Sequence, residues 1–271
     1  GPLVWRPNKK NTDEKEKSMS KENSTLIAVV LDRSGSMSSL RESTVAGLNQ
    51  FLRGQREVVG EVKFHLVQFD DQYEIHRDMA DLRAIPDLTQ EDFQPRGSTA
   101  LFDAIGRTIQ DVGARLAATP ENLRPSKVVF VVQTDGFENA SREYSQGRIQ
   151  DMIKHQREKY SWDFVFLGAN QDAILSGGAL GFLPGQSLSY NANVGSTMKS
   201  FQMVNAAVSS SRMRGAGGQS VFSNVARSYA SDDSINYSAA LDSLKDTEDE
   251  TLTQTVSGTG GQPTTTPGSE T

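Results

Sequence analysis

Apolar residues along this chain follow two alternating patterns. Thr25–Leu31 is a continuous apolar run of strand length, as expected for a central strand buried on both faces. Leu40, Val45, Leu48 and Leu52 then fall on one face of a helix over Leu40–Leu52. Val62, Phe64 and Leu66 alternate with Lys63 and His65, which predicts a half-buried strand running to Phe69. Asp70-Asp71-Gln72 reads as a tight turn into an antiparallel edge strand, Tyr73–His76, with Asp70 and Asp71 as turn residues. A proline-punctuated loop, Ile85–Pro95, leads to a helix marked by Leu101, Ile105, Ile109, Val112 and Leu116. Lys127–Val132 is a second buried strand, and Ile149, Met152 and Ile153 mark a further helix. Asp163–Leu167 and Ser187–Tyr190 are read as strands, and Val194, Met198, Phe201, Val204 and Val208 as the last helix. No internal repeat is visible.

This alternation predicts a Rossmann-like, doubly wound α/β domain over residues 23–214. Its sheet is six-stranded and mostly parallel, with one antiparallel edge strand and helices on both faces. Residues 1–22 hold six basic and four acidic residues and no apolar period, so they are read as a disordered segment. Gly1-Pro2 resembles the remnant left by a tag-removing protease, and no apolar core of a secretory signal follows. Residues 215–271 are read as a low-complexity tail, acidic and then rich in Thr, Gly and Ser. Within that tail, Val221, Phe222, Val225 and Tyr229 share one face of a potential short helix.

Composition narrows the chemistry. The 271 residues include no cysteine, which excludes a disulfide framework, a thiolate zinc site and a cysteine nucleophile. The three histidines, His65, His76 and His155, lie far apart without metal-ligand spacing. No apolar run approaches the length of a membrane helix. The net charge of −6 argues against a nucleic-acid partner. That charge is concentrated at one end, since residues 231–271 carry eight acidic residues and one basic. Lack of cysteine and of a visible signal favours the cytoplasm, or the virion and host cytoplasm for a phage-encoded chain.

In doubly wound folds, ligands bind beyond the carboxyl ends of the strands, where strand order reverses. Three segments fall at such ends: Asp32-Arg33-Ser34-Gly35-Ser36 after the first strand, Gly97-Ser98-Thr99 ahead of the 101–116 helix, and Thr134-Asp135-Gly136 after the 127–132 strand. Among them Asp32, Asp135, Ser34, Ser36 and Thr99 offer two carboxylates and three hydroxyls, with no histidine or cysteine beside them. Such a set suits a hard cation, chiefly Mg²⁺, with Mn²⁺ or Ca²⁺ as alternatives. In an extended stretch Asp32, Ser34 and Ser36 point to one side, and Gly35 lets the backbone turn between them. Neutral hydroxyl ligands leave the cation electrophilic, so an incomplete shell can accept an acidic group from outside.

Asp32-Arg33-Ser34-Gly35-Ser36 resembles the D-x-S-x-S motif of von Willebrand factor type A (VWA) domains. Gly97-Ser98-Thr99-Ala100-Leu101-Phe102-Asp103 is similar to their threonine loop, and Thr134-Asp135-Gly136 to their second acidic loop. The resemblance spans about residues 24–214 and is nearest to compact stand-alone VWA proteins of bacteria and phages. It implies a metal-ion-dependent adhesion site (MIDAS) made by Asp32, Ser34, Ser36, Thr99 and Asp135. In that site Ser34 and Ser36 bind the metal directly, Thr99 directly or through water, and Asp32 and Asp135 ligate or hold coordinating waters. The expected function is a non-enzymatic, Mg²⁺-dependent protein-binding module that takes an Asp or Glu from a partner protein. A MoxR-type ATPase is a companion suggested by the resemblance alone. A structural or accessory role in a larger assembly is the alternative. A metal-dependent phosphohydrolase is a weaker one, because Ser34 stands where a haloacid-dehalogenase pattern wants aspartate and no histidine falls on the strand-end loops.

Overall fold

The computed structural model describes residues 23–170 and 172–245. β1 (Ser24–Asp32) leads through a 3-10 turn (Gly35–Leu40) into α1 (Arg41–Glu57). β2 (Glu61–Phe69) and β3 (Tyr73–Asp81) follow, then α2 (Leu101–Ala118), β4 (Lys127–Thr134) and α3 (Gln146–Tyr160). β5 (Asp163–Ala169), α4 (Ala173–Ala179), β6 (Ser187–Tyr190), α5 (Val194–Met213) and α6 (Asn224–Ser231) come next, and α7 covers residues 237–245. The six strands make one sheet in the order β3-β2-β1-β4-β5-β6. All pairings are parallel except β2 with β3. This is the expected mixed, Rossmann-like sheet, and its order reverses between β1 and β4. No helix among the described residues is long and apolar enough to cross a membrane.

The continuous apolar run of β1 serves two cores at once. Ile27, Val29 and Leu31 pack with Leu48, Phe51 and Leu52 of α1 and Phe201, Val204 and Val208 of α5. Leu26, Ala28 and Val30 pack with Ile105, Ile109 and Val112 of α2 and Ile149 and Ile153 of α3. A strand buried on both faces must be apolar at every position, which is why alternation is absent there. α1 and α5 approach closely because Gly47 carries no side chain. A Cβ at that position would lie 2.2 Å from the Phe201 ring. Trp162 is buried and stacks on Phe130 with ring centroids 6.3 Å apart.

Local pattern misjudged four places. β3 runs five residues beyond its expected end, with register shifts against β2 and Met79 at φ 45°. The irregularity hides the strand from a period-two reading. α4 was absent from the pattern, since Gly177 and Gly178 depress helix propensity. Its start is fixed by Asp172, whose carboxylate accepts from the Ile174 and Leu175 N–H groups. Asp70 is no simple turn residue but is fully buried. His65 is also fully buried, with Nδ1 3.5 Å from Asp78 Oδ1, and burial lowers its pKa.

The folded unit also extends past residue 214. Phe222, Ala226, Tyr229, Ala230, Ala240 and Leu244 join the core on the α1 and α5 side. The segment leading to α6 is tied down by buried polar groups. Lys127 Nζ donates to the carbonyls of Gly215 and Gly218. Asp163, at the start of β5, accepts from Ser211 Oγ at 2.7 Å and from Ser220 N at 2.8 Å. Residues 215–245, read from composition as the first part of a tail, thus form two more helices on the domain. The remaining expectations for segments 1–22 and 246–271 lie outside the described residues.

Candidate metal centre

The reversal between β1 and β4 brings the three strand-end segments together. Asp32 closes β1, and its Oδ1 accepts from Ser34 N at 2.7 Å, turning the chain immediately after the strand. Gly35 N donates to Gly97 O at 3.1 Å, seating this turn against the threonine loop. Ser34 Oγ and Ser36 Oγ lie 3.1 Å apart, and Ser36 Oγ donates to Asp135 Oδ1 at 2.7 Å. Thr134 Oγ1 donates to the other Asp32 oxygen at 2.6 Å. Gly136 closes the circuit. A Cβ there would lie 3.2 Å from Thr99 Oγ1 and 3.9 Å from Asp32 Oδ2, so a larger residue would crowd both.

All five residues singled out in the sequence therefore face one small space. Its depth is graded: Asp32 is 0% exposed, Ser34 2% and Thr99 4%, whereas Asp135 is half-buried and Ser36 exposed at the mouth. Burial raises the Asp32 pKa to about 6, against the hydrogen bonds from Thr134 and Ser34, and the Asp135 charge adds to the rise. Burial also raises Asp135, despite its bond from Ser36. One buried and one half-buried carboxylate, with no cationic side chain between them, form a site short of positive charge. Thr99 Oγ1, in a residue 4% exposed, makes no hydrogen bond among the described residues. A hydroxyl without a protein partner, gathered with two carboxylates and two further hydroxyls, makes an all-oxygen set that fits a hard cation. Among the described residues no cluster of three or more His, Cys, Asp or Glu offers another metal site. When bound, a divalent cation would be held by these five residues and would supply a Lewis-acidic position open toward solvent.

Two sets of side chains position this ring, and the sequence reading passed over most of them. The first holds Thr99. Its N–H donates to Asn139 Oδ1 at 2.8 Å while its carbonyl accepts from Asn139 N at 3.0 Å. Glu138 accepts from Phe102 N, in the first turn of α2, at 2.9 Å and from Ala140 N and Ser141 N. Asp103 answers from α2, accepting from the N–H groups of Arg142, Glu143 and Tyr144 at 2.9 Å each. Burial alone would raise the Asp103 pKa, but these three bonds outweigh it and hold the carboxyl below its usual range. The second set braces the Asp32–Ser36 turn. Arg33 reaches Asp70 at 3.3 Å and Glu74 at 2.7 Å, and Arg96 reaches the same two carboxylates at 2.8 and 3.0 Å. The Arg33 bond, helped by Arg96, takes the Glu74 pKa down to about 2. Asn139 and Arg96 carried no local signal beyond lying near the motifs, because their partners are 40 and 26 residues away.

Asn139→Ala leaves the buried Thr99 N–H without its acceptor. Affinity for Mg²⁺ is expected to fall on the order of 10- to 100-fold, as for other groups that orient metal ligands. Calorimetric titration with Mg²⁺ checks this, and an unchanged affinity would remove Asn139 from the ring's support.

No protein-family model and no curated protein matches the sequence. Solved structures do match the fold. The vWF domain of the type V pili tip protein Mfa5 from Porphyromonas gingivalis aligns with 69% of this chain and 95% of its own, at 10% identity and a TM-score of 0.50. Proximal thread matrix protein 1 from the mussel byssus, solved with a zinc-occupied MIDAS motif, aligns with 68% of this chain at 15% identity and a TM-score of 0.49. A von Willebrand factor type A structure from Catenulispora acidiphila covers 70% of this chain and 43% of its own, at 15% identity and a TM-score of 0.45. This chain spans 45–47% of the mussel byssus chains it matches.

Proposed function

We propose that this chain, which has the von Willebrand factor type A fold, is a Mg²⁺-dependent protein-binding module that captures an Asp or Glu side chain of a partner. The observation that carries this reading is the ring of five oxygen-bearing side chains, with an unpartnered Thr99 hydroxyl inside and Ser36 and Asp135 at an open mouth. Three of the five donors are neutral, so the two carboxylates do no more than balance a divalent cation, which remains a Lewis acid able to take a further oxygen ligand on its open side. The mouth is wide enough for solvent to reach Ser36, and a partner carboxylate can complete the shell from that side. Metal and partner then bind cooperatively, since each raises the affinity of the other by the same factor.

The site is built for holding rather than for turnover. None of the three histidines is near it: His65 lies buried on β2, His76 on β3 is 3.1 Å from Asp92, and His155 is in α3 beside Tyr160. The side chains around the ring are already engaged in positioning bonds, as described for Asn139, Glu138 and Arg33. No histidine stands among them to shuttle protons at the mouth.

Wild type and Asp32→Ala, each immobilised in Mg²⁺ and in EDTA, are offered lysate of the native host. A protein retained by wild type in Mg²⁺ and lost in the other three conditions is the expected result. Equal retention in all four overturns the reading, and metal-dependent cleavage of a generic phosphoester by wild type alone would replace it with an enzymatic one.

A further inference from the structure

A groove of about 660 Å³ opens beside the metal centre, between the β2–β3 turn and the 138–144 loop. Ser98 and Ala100, on either side of Thr99, line its near end together with Asn139. A chain that presents a carboxylate to the ring can therefore run on into this groove. We propose that the groove seats the partner segment flanking that carboxylate, and that it selects a segment carrying a basic residue and a second acidic residue. This rests on the metal-dependent reading above and adds the identity of the flank.

The walls are preformed. The 138–144 loop is fixed to α2 by the Glu138 and Asp103 bonds already described, and Arg107 and Glu143 close the far end with contacts of 2.9 and 2.7 Å. The opposite wall is set by Asp70, which accepts from Gln72 N at 2.6 Å. A rigid wall lowers the ordering cost of binding an extended segment. The volume falls within the range of specific ligand sites.

The charges on these walls are not all used within the protein. Arg107 and Glu143 neutralise each other, and Asp103 is consumed by three N–H groups. Asp71 on one wall and Arg142 on the other are exposed and make no ion pair or side-chain hydrogen bond among the described residues. Asp71 sits at the metal end: a Cβ on Gly97 would lie 2.3 Å from its Oδ1, so the carboxylate rests on the threonine loop. Arg142 stands on the wall anchored to α2 through Asp103. One unpaired anion beside the metal and one unpaired cation along the groove are complementary to a flank of mixed sign. On the other side of Asp135 the surface differs, since Phe137 is 70% exposed there. A partner crossing that side would instead bring apolar residues.

The test is a random linear peptide library panned on the immobilised full chain in Mg²⁺ and eluted with EDTA. The expected consensus has one fixed Asp or Glu, a nearby basic residue and a second acidic residue. Panning on Asp71→Lys should replace the basic preference by an acidic one, and panning on Arg142→Glu should turn the second acidic position basic. The wild-type consensus peptide should lose roughly tenfold in affinity for each reversal. Mg²⁺ titrations of the two variants read the metal ring separately from the groove. An EDTA-eluted consensus with an acidic anchor but apolar flanks, indifferent to both reversals, overturns the groove and leaves the metal-dependent reading standing. Failure to recover any EDTA-eluted peptide overturns both.

Discussion

Asp32→Asn will abolish the Mg²⁺-induced rise in melting temperature and, in EDTA at neutral pH, will melt higher than wild type. Both effects come from one buried carboxylate. Mg²⁺ stabilises the native state by binding it and not the unfolded chain, so losing the ligand at the base of the ring removes the whole increment. In EDTA the same carboxylate is a liability. Its folded pKa is about 6 against 3.8 for the free side chain, with burial as the main cause. The native state therefore binds more protons than the unfolded chain between about pH 4 and 6. The stability this represents is fully present below about pH 4 and is lost as pH rises through 6. At neutral pH the loss is of order 2–3 kcal/mol, at about 1.4 kcal/mol per pKa unit. Asparagine is neutral throughout. It keeps an oxygen for the Ser34 N–H, and its amide can donate to Thr134 Oγ1, which can still donate to the Gly136 carbonyl. Melting curves of both proteins in EDTA, followed from pH 4 to 7.5, should converge at the acid end and separate by several degrees at the neutral end. A variant that still responds to Mg²⁺, or that melts below wild type in EDTA at pH 7.5, contradicts the account.

Phe222→Ala should cost about 3–5 kcal/mol, a large part of the stability of an ordinary domain. The ring is 2% exposed and packs with the core on the α1 and α5 side. Removing everything after Arg214 should be worse. It uncovers the side of α5 that α6 covers, and it takes away the Gly215 and Gly218 carbonyls that hold Lys127 and the Ser220 groups that hold Asp163. Lys127 would lose both of these carbonyls, and Asp163 would keep only its Ser211 and Gln186 donors, and stripping a buried charge of partners is more costly than losing apolar contacts of the same size. Urea unfolding followed by circular dichroism measures both. A Phe222→Ala midpoint within about 1 kcal/mol of wild type would place residues 215–245 outside the cooperative unit.

Asp32 and Phe222 differ in how much of their role is local to the chain. Asp32, Ser34, Ser36, Thr99 and Asp135 could all be picked from the sequence, because each lies in a short segment directly after a strand or before a helix. The extended spacing that D-x-S-x-S suggests ends at Ser34, because Gly35–Leu40 is a 3-10 turn, and Ser36 meets the ring through Ser34 and Asp135 instead. Phe222 could only be marked as one residue of an uncertain short helix. Apart from Val221 and Val225 its neighbours are Gly, Gln, Ser, Asn and Ala, and such residues look alike in a solvated tail and in a close-packed cap.

The buried run of β1, the helical period of α2 and the turn after each strand determined the architecture without help from distant residues. Burial on both faces demands apolar residues at every position, and helical packing demands a period near 3.6. Tertiary structure decided the rest. Asp70 is a turn residue in sequence and a buried counter-ion in space, because Arg33 and Arg96 arrive from two other loops. Asn139 becomes the support of Thr99 only when the β4 loop meets the start of α2. The free charges of Asp71 and Arg142 acquire a common setting only once they line one groove. Local sequence specifies what a residue's own backbone neighbours impose; which charges are paired, and which are left for a partner, depends on contacts between segments that the chain brings together only on folding.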